Sequence, residues 1–377
     1  MNKVIVNLPS LEKIKVVSLF SGCGGLDWGF RALGYDIIWA NERSQDAAES
    51  YKRLIGDHVV CEDITKIIAR VPKAQVLIGG PPCQSFSLVG KRQPDDPRGA
   101  LVFSFRDVVK MNLPEVFVME NVPGLLASKI DAKKLIDHLQ DEFKLLGYQT
   151  EAIKIMASDY GVPQKRKRVI LIGWRDGSKK FNFISSAQFA RSFGLRDDEM
   201  PISVTDAIGD LPQPREKGNL EPIEYVREKD SGFLRLIEPN PDKKLTLHSM
   251  PTMSSLDREF VKHIPPGGNY MSIPDEIATK RIKTFKSSGG RTTTYGRLHP
   301  DRPAYTINTY FNRPNVGANY HYVEERLITV REAMRLQSFP DSFEPYYSTQ
   351  RSLHEQIGNA VPPLMSLAIA SSIGNLF

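Results

Sequence analysis

Short apolar segments alternate with amphipathic segments between residues 15 and 174, and this alternation constrains the fold more than any other feature of the chain. The amphipathic segments include Ser44 to Leu54 and Ala132 to Leu146. Six apolar runs are strand candidates: Lys15–Phe20, Asp36–Ala40, Val59–Val60, Gln75–Ile78, Glu115–Glu120 and Val169–Trp174. Such alternation is typical of βαβ units. We therefore predict an α/β fold with a doubly wound, mostly parallel sheet.

The character of the sequence changes after about Gly177. Residues 178 to 320 are rich in Pro, Gly, Ser and Asn, which indicates loops. The stretch from Lys280 to Pro300 carries six Lys or Arg residues and no acidic residue, as expected of a basic binding face or of an ordinary solvated charge cluster. Near Leu327 the periodicity returns, and helices are predicted at Thr329–Leu336 and Leu364–Ile373. We predict an α/β domain (1–177), a smaller loop-rich domain (178–320) and a C-terminal segment (321–377) that returns to the first domain.

Length, charge and cysteine content limit the classes of protein to which this chain can belong. With 377 residues the chain exceeds the usual size of one hydrophobic core, and its net charge of +6 and pI near 9.0 are compatible with a polyanionic partner. Cys23, Cys61 and Cys83 lack the paired spacing of zinc ligands or disulfides. The first fifteen residues lack the apolar region of a signal peptide, and no apolar run is long enough to span a bilayer. These features predict a cytoplasmic protein without a metal site or a membrane partner.

The tetrapeptide Pro81-Pro82-Cys83-Gln84 follows the apolar run Val76 to Gly80. Prolines restrict the backbone here, so the cysteine lies on a stiff turn at a strand end. Open α/β sheets bind their ligands at such ends. Cys83 is therefore a candidate nucleophile, although the tetrapeptide alone is equally compatible with a small buried thiol beside a turn.

A glycine-rich loop follows the first predicted strand: Phe20-Ser21-Gly22-Cys23-Gly24-Gly25-Leu26-Asp27. Glu42 ends the second strand and Asp63 follows the third, positions suited to ribose hydroxyls and to an adenine amino group. The Gly-x-Gly-x-x-Gly fingerprint of dehydrogenases is missing. A nucleoside ligand with a carboxylate, such as S-adenosylmethionine, fits the loop as well as a dinucleotide or better. We expect Cys23 to be only a small residue in that loop.

Glu120-Asn121-Val122 ends the fifth strand, beside the strand that presents Cys83. A carboxyl group at this place can act as a proton donor, but an acid at a strand end is more often structural. Gln164-Lys165-Arg166-Lys167-Arg168 precedes another strand, and alternation places Gln164, Arg166 and Arg168 on one side. Alone, this basic run is more often surface charge than a catalytic site.

Together these residues resemble the cytosine-C5 DNA methyltransferase family of bacterial restriction-modification type. The ordered matches are Phe20–Gly25, Glu42, Asp63, Gly79–Gln84, Glu120–Val122, Gln164-x-Arg166-x-Arg168, Arg331-Glu332-x-x-Arg335-Leu336-Gln337-x-Phe339-Pro340 and Gln356-x-Gly358-Asn359-Ala360-Val361-Pro362. They cover most of the chain outside residues 178 to 300, in the order of the family. So many motifs in the same order are highly specific for this family.

The resemblance implies covalent catalysis on a cytosine that is flipped out of duplex DNA. Cys83 would attack C6, which makes C5 nucleophilic toward the methyl group of S-adenosylmethionine. Glu120 would hold the N3/N4 edge of the base and supply a proton. Arg168 would contact O2, with Arg166 in support. Loss of the C5 proton and elimination of Cys83 would release the product.

The same resemblance implies two further sets of residues. Phe20 would stack on the adenine, Glu42 would bind the ribose, Asp63 would read the adenine amino group and Asn359 would help close the pocket. The cofactor set as a whole is Phe20, Ser21, Gly22, Gly24, Gly25, Leu26, Glu42, Asp63, Ile64, Pro81, Asn359, Ala360 and Val361. The candidates for DNA contacts are Gln84, Ser85, Arg281, Arg291, Thr293, Tyr295 and Arg297. Arginine and lysine here can hold phosphate and read bases.

Three alternatives compete with a DNA cytosine-C5 methyltransferase. A tRNA methyltransferase of the same chemistry usually carries a Cys-Phe-Thr tripeptide, which this sequence lacks. A non-catalytic DNA-binding relative is disfavoured because Cys83, Glu120 and Arg168 are all present. An NAD-dependent oxidoreductase is disfavoured by the glycine pattern. We expect a monomer that binds double-stranded DNA and is associated with the nucleoid. A cognate restriction endonuclease, if the system has one, is expected to act as a separate protein.

Overall fold

A computed structural model describes residues 14–82, 100–130, 133–195, 200–226, 231–238, 242–290 and 292–377. Its strands are β1 Lys15–Leu19, β2 Asp36–Glu42, β3 Val59–Cys61, β4 Val76–Gly79, β5 Val116–Asn121, β6 Lys129–Ile130, β7 Lys133–Lys134, β8 Gln149–Met156, β9 Gln164–Lys165, β10 Lys167–Trp174, β11 Ile223–Val226, β12 Asp242–Leu245, β13 Gly296–Arg297, β14 Ala304–Tyr305 and β15 Ala318–Tyr320. Its helices are α1 Gly25–Ala32, α2 Gln45–Leu54, α3 Ile64–Ile67, α4 Ala100–Asn112, α5 Leu135–Leu145, α6 Ser186–Phe193, α7 Val204–Ile208, α8 Gly232–Ile237, α9 Ser255–Lys262, α10 Lys280–Ser288, α11 Val330–Leu336, α12 Gln350–Asn359 and α13 Pro363–Ile373.

The main sheet has seven strands in the order β3-β2-β1-β4-β5-β10-β8. The first five strands in this order, β3, β2, β1, β4 and β5, are parallel to one another. Strand β10 is antiparallel to both of its neighbours, β5 and β8. The predicted doubly wound, mostly parallel sheet is therefore confirmed, and each of the six predicted strands is present. The edge strand β8 was not predicted, because Glu151 and Lys154 interrupt its apolar pattern.

Alternate residues of each central strand enter two different cores. Val16 of β1 packs with Val76 and Ile78 of β4 on one face of the sheet, whereas Val17 and Leu77 enter the core of the other face. This two-residue alternation is what a strand with two covered faces produces. The sheet is consequently a rigid platform, and its loops project from its ends.

The C-terminal helix α13 packs directly on α1. Ser366 accepts a hydrogen bond from the Gly29 N–H at 3.2 Å and also donates to the Leu26 carbonyl. A β-carbon on Gly29 would overlap the backbone of Ser366 and Leu367, so the two helices can approach this closely only at a glycine. Helix α13 is therefore in direct contact with the first helix of the chain, and the predicted assignment of segment 321–377 to the first domain stays a prediction.

A separate small core lies in the middle of the chain. It is formed by Phe260, Val261, Ile264, Tyr270, Ile273, Ile282, Tyr320 and Leu327. By contrast, Phe181, Phe189 and Phe233 join the large core of the α/β part. The predicted domain limits at residues 177 and 320 stay a prediction.

Helix α11 carries a buried ionic network that connects distant segments. Arg335 forms ion pairs with Asp210 at 2.6 Å and with Asp341 at 2.7 Å. Glu332 accepts two hydrogen bonds from Arg326, at 2.7 and 2.8 Å. Burial alone would raise the pKa of Glu332, but the Arg326 guanidinium lowers it to about 2. These charges are paired, as buried charges must be, and the pairs hold α11 against the segments that contain Asp210, Arg326 and Asp341.

Among the described residues, one helical segment, Gln350–Leu376, is long and apolar enough to cross a membrane by length and composition alone. However, 89% of its apolar window is buried inside the protein. The apolar character of this segment is therefore accounted for by its place in the core.

Candidate active site

The carboxyl ends of the five parallel strands meet at one end of the sheet, which we call the carboxyl edge. Leu19, Glu42, Cys61, Gly79 and Asn121 are the last residues of these strands. Because β10 is antiparallel, it begins at the same edge, and its Val169 pairs with Asn121. Ligands of open α/β sheets bind at such an edge. The predicted site residues of several distant motifs therefore converge there.

The glycine-rich loop and Glu42 form one hydrogen-bonded unit. The Gly22 N–H donates to Oε2 of Glu42 at 2.9 Å, and the N–H groups of Arg43 and Ser44 donate to Oε1 at 2.8 and 2.7 Å. Gly22 has φ +56° and Phe20 has φ +53°, so the chain turns sharply after β1. Burial raises the pKa of the Glu42 carboxyl. Three of about four lone-pair positions on this carboxylate are used, which leaves room for a ligand hydroxyl.

Asp63 caps helix α3 at the carboxyl edge. Its Oδ1 accepts hydrogen bonds from the N–H and the hydroxyl of Thr65, at 3.0 and 2.8 Å. The bonds from Thr65 lower the pKa of Asp63, so its second oxygen, 3.8 Å from Arg43, remains a charged acceptor. Ile64 beside it is buried, and the half-buried Phe20 ring packs on the core of this face.

Cys23 faces the interior and not the carboxyl edge. It is 2% exposed, its sulfur lies 4.0 Å from the Gln356 carbonyl, and burial raises its pKa to about 12. A thiol in this state is a poor nucleophile. The interpretation of Cys23 as a small residue of the loop agrees with this placement.

The C-terminal block lies over the glycine-rich loop. A β-carbon on Gly25 would overlap the carbonyl of Val361 and would touch Ala360, so these backbones are in direct contact. Asn359 ends α12 and is exposed, whereas Val361 is buried. The structure thus brings the loop, Glu42 and residues 359–361 together, as the cofactor prediction requires.

Glu120 and Arg168 form a close ion pair at the carboxyl edge. Arg168 Nε lies 2.7 Å from Glu120 Oε1, and each side chain is 12% exposed. Next to them, the Asn121 amide donates to the Pro81 carbonyl at 3.0 Å and fixes the start of the Pro-Pro turn. The side of the pair that faces outward offers carboxylate and guanidinium groups together, which suits the polar edge of a nucleobase.

Arg166 lies behind this pair and is fully buried. Its NH1 and NH2 donate to the carbonyls of Ile307 and Gly358, both at 2.9 Å. Burial lowers the pKa of this guanidinium well below its ordinary value. Arg166 is therefore bound to backbone and not aimed at the carboxyl edge.

Several predicted residues fall outside the described part of the chain or are placed unexpectedly. Cys83, Gln84, Ser85 and Arg291 lie outside the described residues. Arg281 is exposed on α10, Thr293 is half-buried, and the Tyr295 ring packs edge-on against Phe260. Arg297 donates to the carbonyls of His321, Ile264 and Val323 at 3.0, 2.9 and 2.5 Å. The guanidinium of Arg297 is therefore occupied by backbone carbonyls around the small core.

Two site features were missed from the sequence. Asn121, which anchors Pro81, was quoted only as part of a motif, and its position directly after Glu120 was the available signal. Gln164 and Gln337 were also quoted without a role, yet their side chains meet at 3.0 Å. Among the described residues, no group of three His, Cys, Asp or Glu side chains is arranged to hold a metal ion.

Comparison with known proteins agrees with this geometry. The Type II methyltransferase M.NgoFVII of Neisseria gonorrhoeae is 34% identical over 383 residues, which cover 100% of this chain and 91% of that protein. The Type II methyltransferase M.FnuDI of Fusobacterium nucleatum is 32% identical, over 96% of this chain and 94% of that protein.

Solved structures show the same fold. A protein described as a DNA modification methyltransferase, encoded within an E. coli prophage, superposes with a TM-score of 0.72 and 25% identity over 97% of this chain and 99% of its own. The Dnmt2 methyltransferase of S. pombe superposes with a TM-score of 0.58 and 16% identity, over 97% and 99% of the two chains. The model of the family described as C-5 cytosine-specific DNA methylase matches residues 14–375. The chain therefore belongs to the C-5 cytosine-specific DNA methylase family, and it is a DNA (cytosine-5)-methyltransferase.

Proposed function

We propose that this enzyme methylates a flipped cytosine in a specific duplex DNA site, with S-adenosylmethionine as donor and Cys83 as nucleophile. The observation that carries the proposal is the Glu120–Arg168 pair at the carboxyl edge, beside the unit of the glycine-rich loop and Glu42. These two sites share one edge of one sheet. A base and a methyl donor can therefore be held side by side.

Glu120 and Arg168 are suited to opposite edges of the cytosine ring. The Glu120 carboxyl binds the N3/N4 edge and supplies a proton to N3, while Arg168 binds O2. The Cys83 thiolate adds to C6, and the displaced electron pair makes C5 a nucleophile. After C5 is methylated, the C5 proton leaves to a base, the Cys83–C6 bond breaks and N3 returns its proton to Glu120, which restores the neutral ring, the thiolate and the acid.

The residues at the cofactor site fit S-adenosylmethionine. The remaining acceptor capacity of Glu42 suits a ribose hydroxyl, and the half-exposed Phe20 ring offers a stacking surface. The Oδ2 atom of Asp63, which lies 3.8 Å from Arg43, suits the adenine amino group. The N-terminus of α1 at Gly25 favours the carboxylate end. Bound there, the cofactor would supply an electrophilic methyl group on sulfur.

We assign DNA recognition to the part of the chain that contains the small core and its exposed basic helix α10. Arg281 and the neighbouring lysines on α10 are candidates for phosphate contacts, and Arg291 stays a sequence-based candidate for base contacts. We propose a monomer that acts in the cytoplasm at the nucleoid and protects DNA from a cognate endonuclease, because its relatives are Type II methyltransferases.

Sequencing of 5-methylcytosine in a methylation-free host tests the proposed reaction. The wild-type chain should methylate one recurring site. Cys83→Ser should abolish methylation, and Glu120→Gln should lower its rate about 10²- to 10⁴-fold because the proton donor is lost. Both variants should still bind S-adenosylmethionine in calorimetry, since neither residue belongs to the cofactor set. Lys144→Gln, on the exposed C-terminal turn of α5, is the matched control and should behave as the wild type.

Two results would contradict the proposal. Full methylation by Cys83→Ser would remove this cysteine from the mechanism. Absence of any methylated site from folded wild-type protein that binds S-adenosylmethionine would require another substrate, and RNA would be the next to test.

A further inference from the structure

Two glutamines and one arginine from separate motifs join in a closed set of hydrogen bonds, which we call the glutamine ring. Gln164 Oε1 accepts from the Ile307 N–H at 2.9 Å, and its Nε2 donates to Gln337 Oε1 at 3.0 Å. Gln337 Nε2 then donates to the Ile357 carbonyl at 2.6 Å. Arg166 closes the ring, because it donates to the carbonyls of Gly358 and Ile307, both at 2.9 Å.

Every side chain in the ring is buried. Gln164 and Gln337 have no exposed surface, and Arg166 is 1% exposed. A buried polar group requires its partner, because water cannot replace a lost bond there. The ring therefore specifies one arrangement of the three segments that it connects.

Three members of the ring, Arg166, Gly358 and Ile307, lie on three different segments around the site. Arg168, which holds the base in the proposed function, comes two residues after Arg166. Asn359 follows Gly358 and leads to Val361, which contacts Gly25 of the glycine-rich loop. Ile307 belongs to a segment that pairs with β9 through β14, and its neighbour Thr306 donates to the Lys165 carbonyl at 2.8 Å.

The contact between two of these segments leaves no free space. A β-carbon on Gly358 would overlap the backbone of Asn308 and Thr309. The end of α12 and the segment at residues 304–309 are therefore in direct backbone contact. This contact joins the C-terminal block to the segment that pairs with β9.

We propose that the glutamine ring aligns the base site with the cofactor site, and that Gln164 and Gln337 are positioning residues for methyl transfer. The inference rests on the proposed placement of the base at Arg168 and of the cofactor beside Glu42. Reacting atoms must approach within roughly 3 to 3.5 Å, so a small misalignment lowers the chemical rate more than it lowers binding.

Single-turnover kinetics of Gln164→Ala, Gln337→Ala and the double variant test this proposal. The rate of methyl transfer should fall about 10- to 100-fold in each single variant, because misplacement by about 1 Å has such an effect. The dissociation constants for S-adenosylmethionine and for DNA, measured separately, should change less than about threefold. The double variant should lose little more than either single one, since each already opens the same ring.

Asn112→Ala is the matched control. This buried amide donates to the carbonyls of Val71 and Pro72, neither of which belongs to the ring or to the segments it connects, so its loss should lower the melting temperature but not the transfer rate. A rate loss in the ring variants no greater than in Asn112→Ala, or a fully additive double variant, would overturn the proposal.

Gln337→Glu provides the test if the alanine variants do not fold. The glutamate has the size of glutamine and still accepts a hydrogen bond from Gln164, but it has no N–H group to donate to the Ile357 carbonyl. We expect the same loss in the rate of methyl transfer, with binding of S-adenosylmethionine and DNA retained. Wild-type rates in this variant would overturn the proposal. Failure of the wild-type enzyme to methylate DNA would instead contradict the proposed function.

Discussion

Asp27 is a buried carboxyl group in the first turn of α1, at the end of the glycine-rich segment. The hydroxyls of Ser18 and Tyr51 donate to its two oxygens at 3.0 and 2.9 Å, and Tyr51 also lies 3.0 Å from His58 Nε2. Burial raises the pKa of Asp27 from an ordinary value of 3.8 to about 7, although both hydrogen bonds lower it. The protonated form is therefore favoured in the folded enzyme at mildly acidic pH.

This residue should make stability depend on pH in a defined window. Between about pH 4 and pH 7 the folded state keeps a proton on Asp27 that the unfolded chain has lost, so the free energy of unfolding should fall as pH rises. The limit for one group is roughly 1.4 kcal/mol per pH unit. Asp27→Asn should flatten this part of the profile, as measured by urea unfolding at several pH values.

The control for that profile is Asp46→Asn, on a carboxyl whose pKa is lowered by the Ser348 N–H and by Ser352. Asp46 contributes stability that is present above its unfolded pKa and is lost as pH falls, so this variant should change the profile at lower pH. An unchanged slope between pH 4 and pH 7 in Asp27→Asn would contradict the assignment.

Among the elements, α1 and α13 depend on one another. The start and the middle of α1 are fixed by residues more than 300 positions away, through Gly25 with Val361 and Gly29 with Ser366. The glycine-rich loop lies between β1 and α1. The geometry of the cofactor site therefore depends on a helix that is the last in the chain.

Gly29→Ala should destabilise the enzyme strongly, because the new β-carbon overlaps backbone atoms that cannot rotate away. We expect a loss of about 3 kcal/mol or more in the free energy of unfolding, measured with urea, together with weaker S-adenosylmethionine binding.

Gly194→Ala separates this steric effect from backbone strain. Gly194 has φ +73° but no atom within 4 Å of a new β-carbon, so its replacement should cost only about 1 kcal/mol. Equal losses in the two variants would contradict the close-packing explanation.

For the molecule as a whole, charge is expected to control how it meets DNA. The net charge of +6 is distributed unevenly, and Lys280, Arg281 and Lys283 are exposed on α10. Phosphate contacts release counterions, so affinity for DNA should fall as salt rises.

Replacement of Lys280, Arg281 and Lys283 by Gln should reduce the slope of log affinity against log salt by about 0.9 for each residue that contacts a phosphate. The slope is measured by fluorescence anisotropy with a duplex that contains the methylated site. Lys144→Gln should leave the slope unchanged. If the triple variant also leaves it unchanged, α10 does not contact the DNA backbone.

Local sequence was sufficient for six of the seven strands of the main sheet and for the positions of its functional strand ends. An apolar run that ends in Glu42 or Glu120 places that acid at the carboxyl edge, because all parallel strands end on the same side. The predicted helix Thr329–Leu336 also agrees with α11, whose capping box from Thr329 to Glu332 is readable in the sequence. Strand β8 was missed because Glu151 and Lys154, on its two opposite faces, interrupt its apolar pattern.

The family, the α/β sheet and the grouping of motifs at one edge can be predicted from the amino-acid sequence, since they depend on short-range patterns and on motif order. The roles of Arg166, Arg297 and Gln164 cannot, because they depend on long-range contacts. The partners of Arg166 lie 141 and 192 residues away, and a buried guanidinium bound to carbonyls has the same local sequence as one that faces a substrate. The physical reason is that a polar side chain acquires its role from the groups that burial places around it, and those groups come from the whole chain.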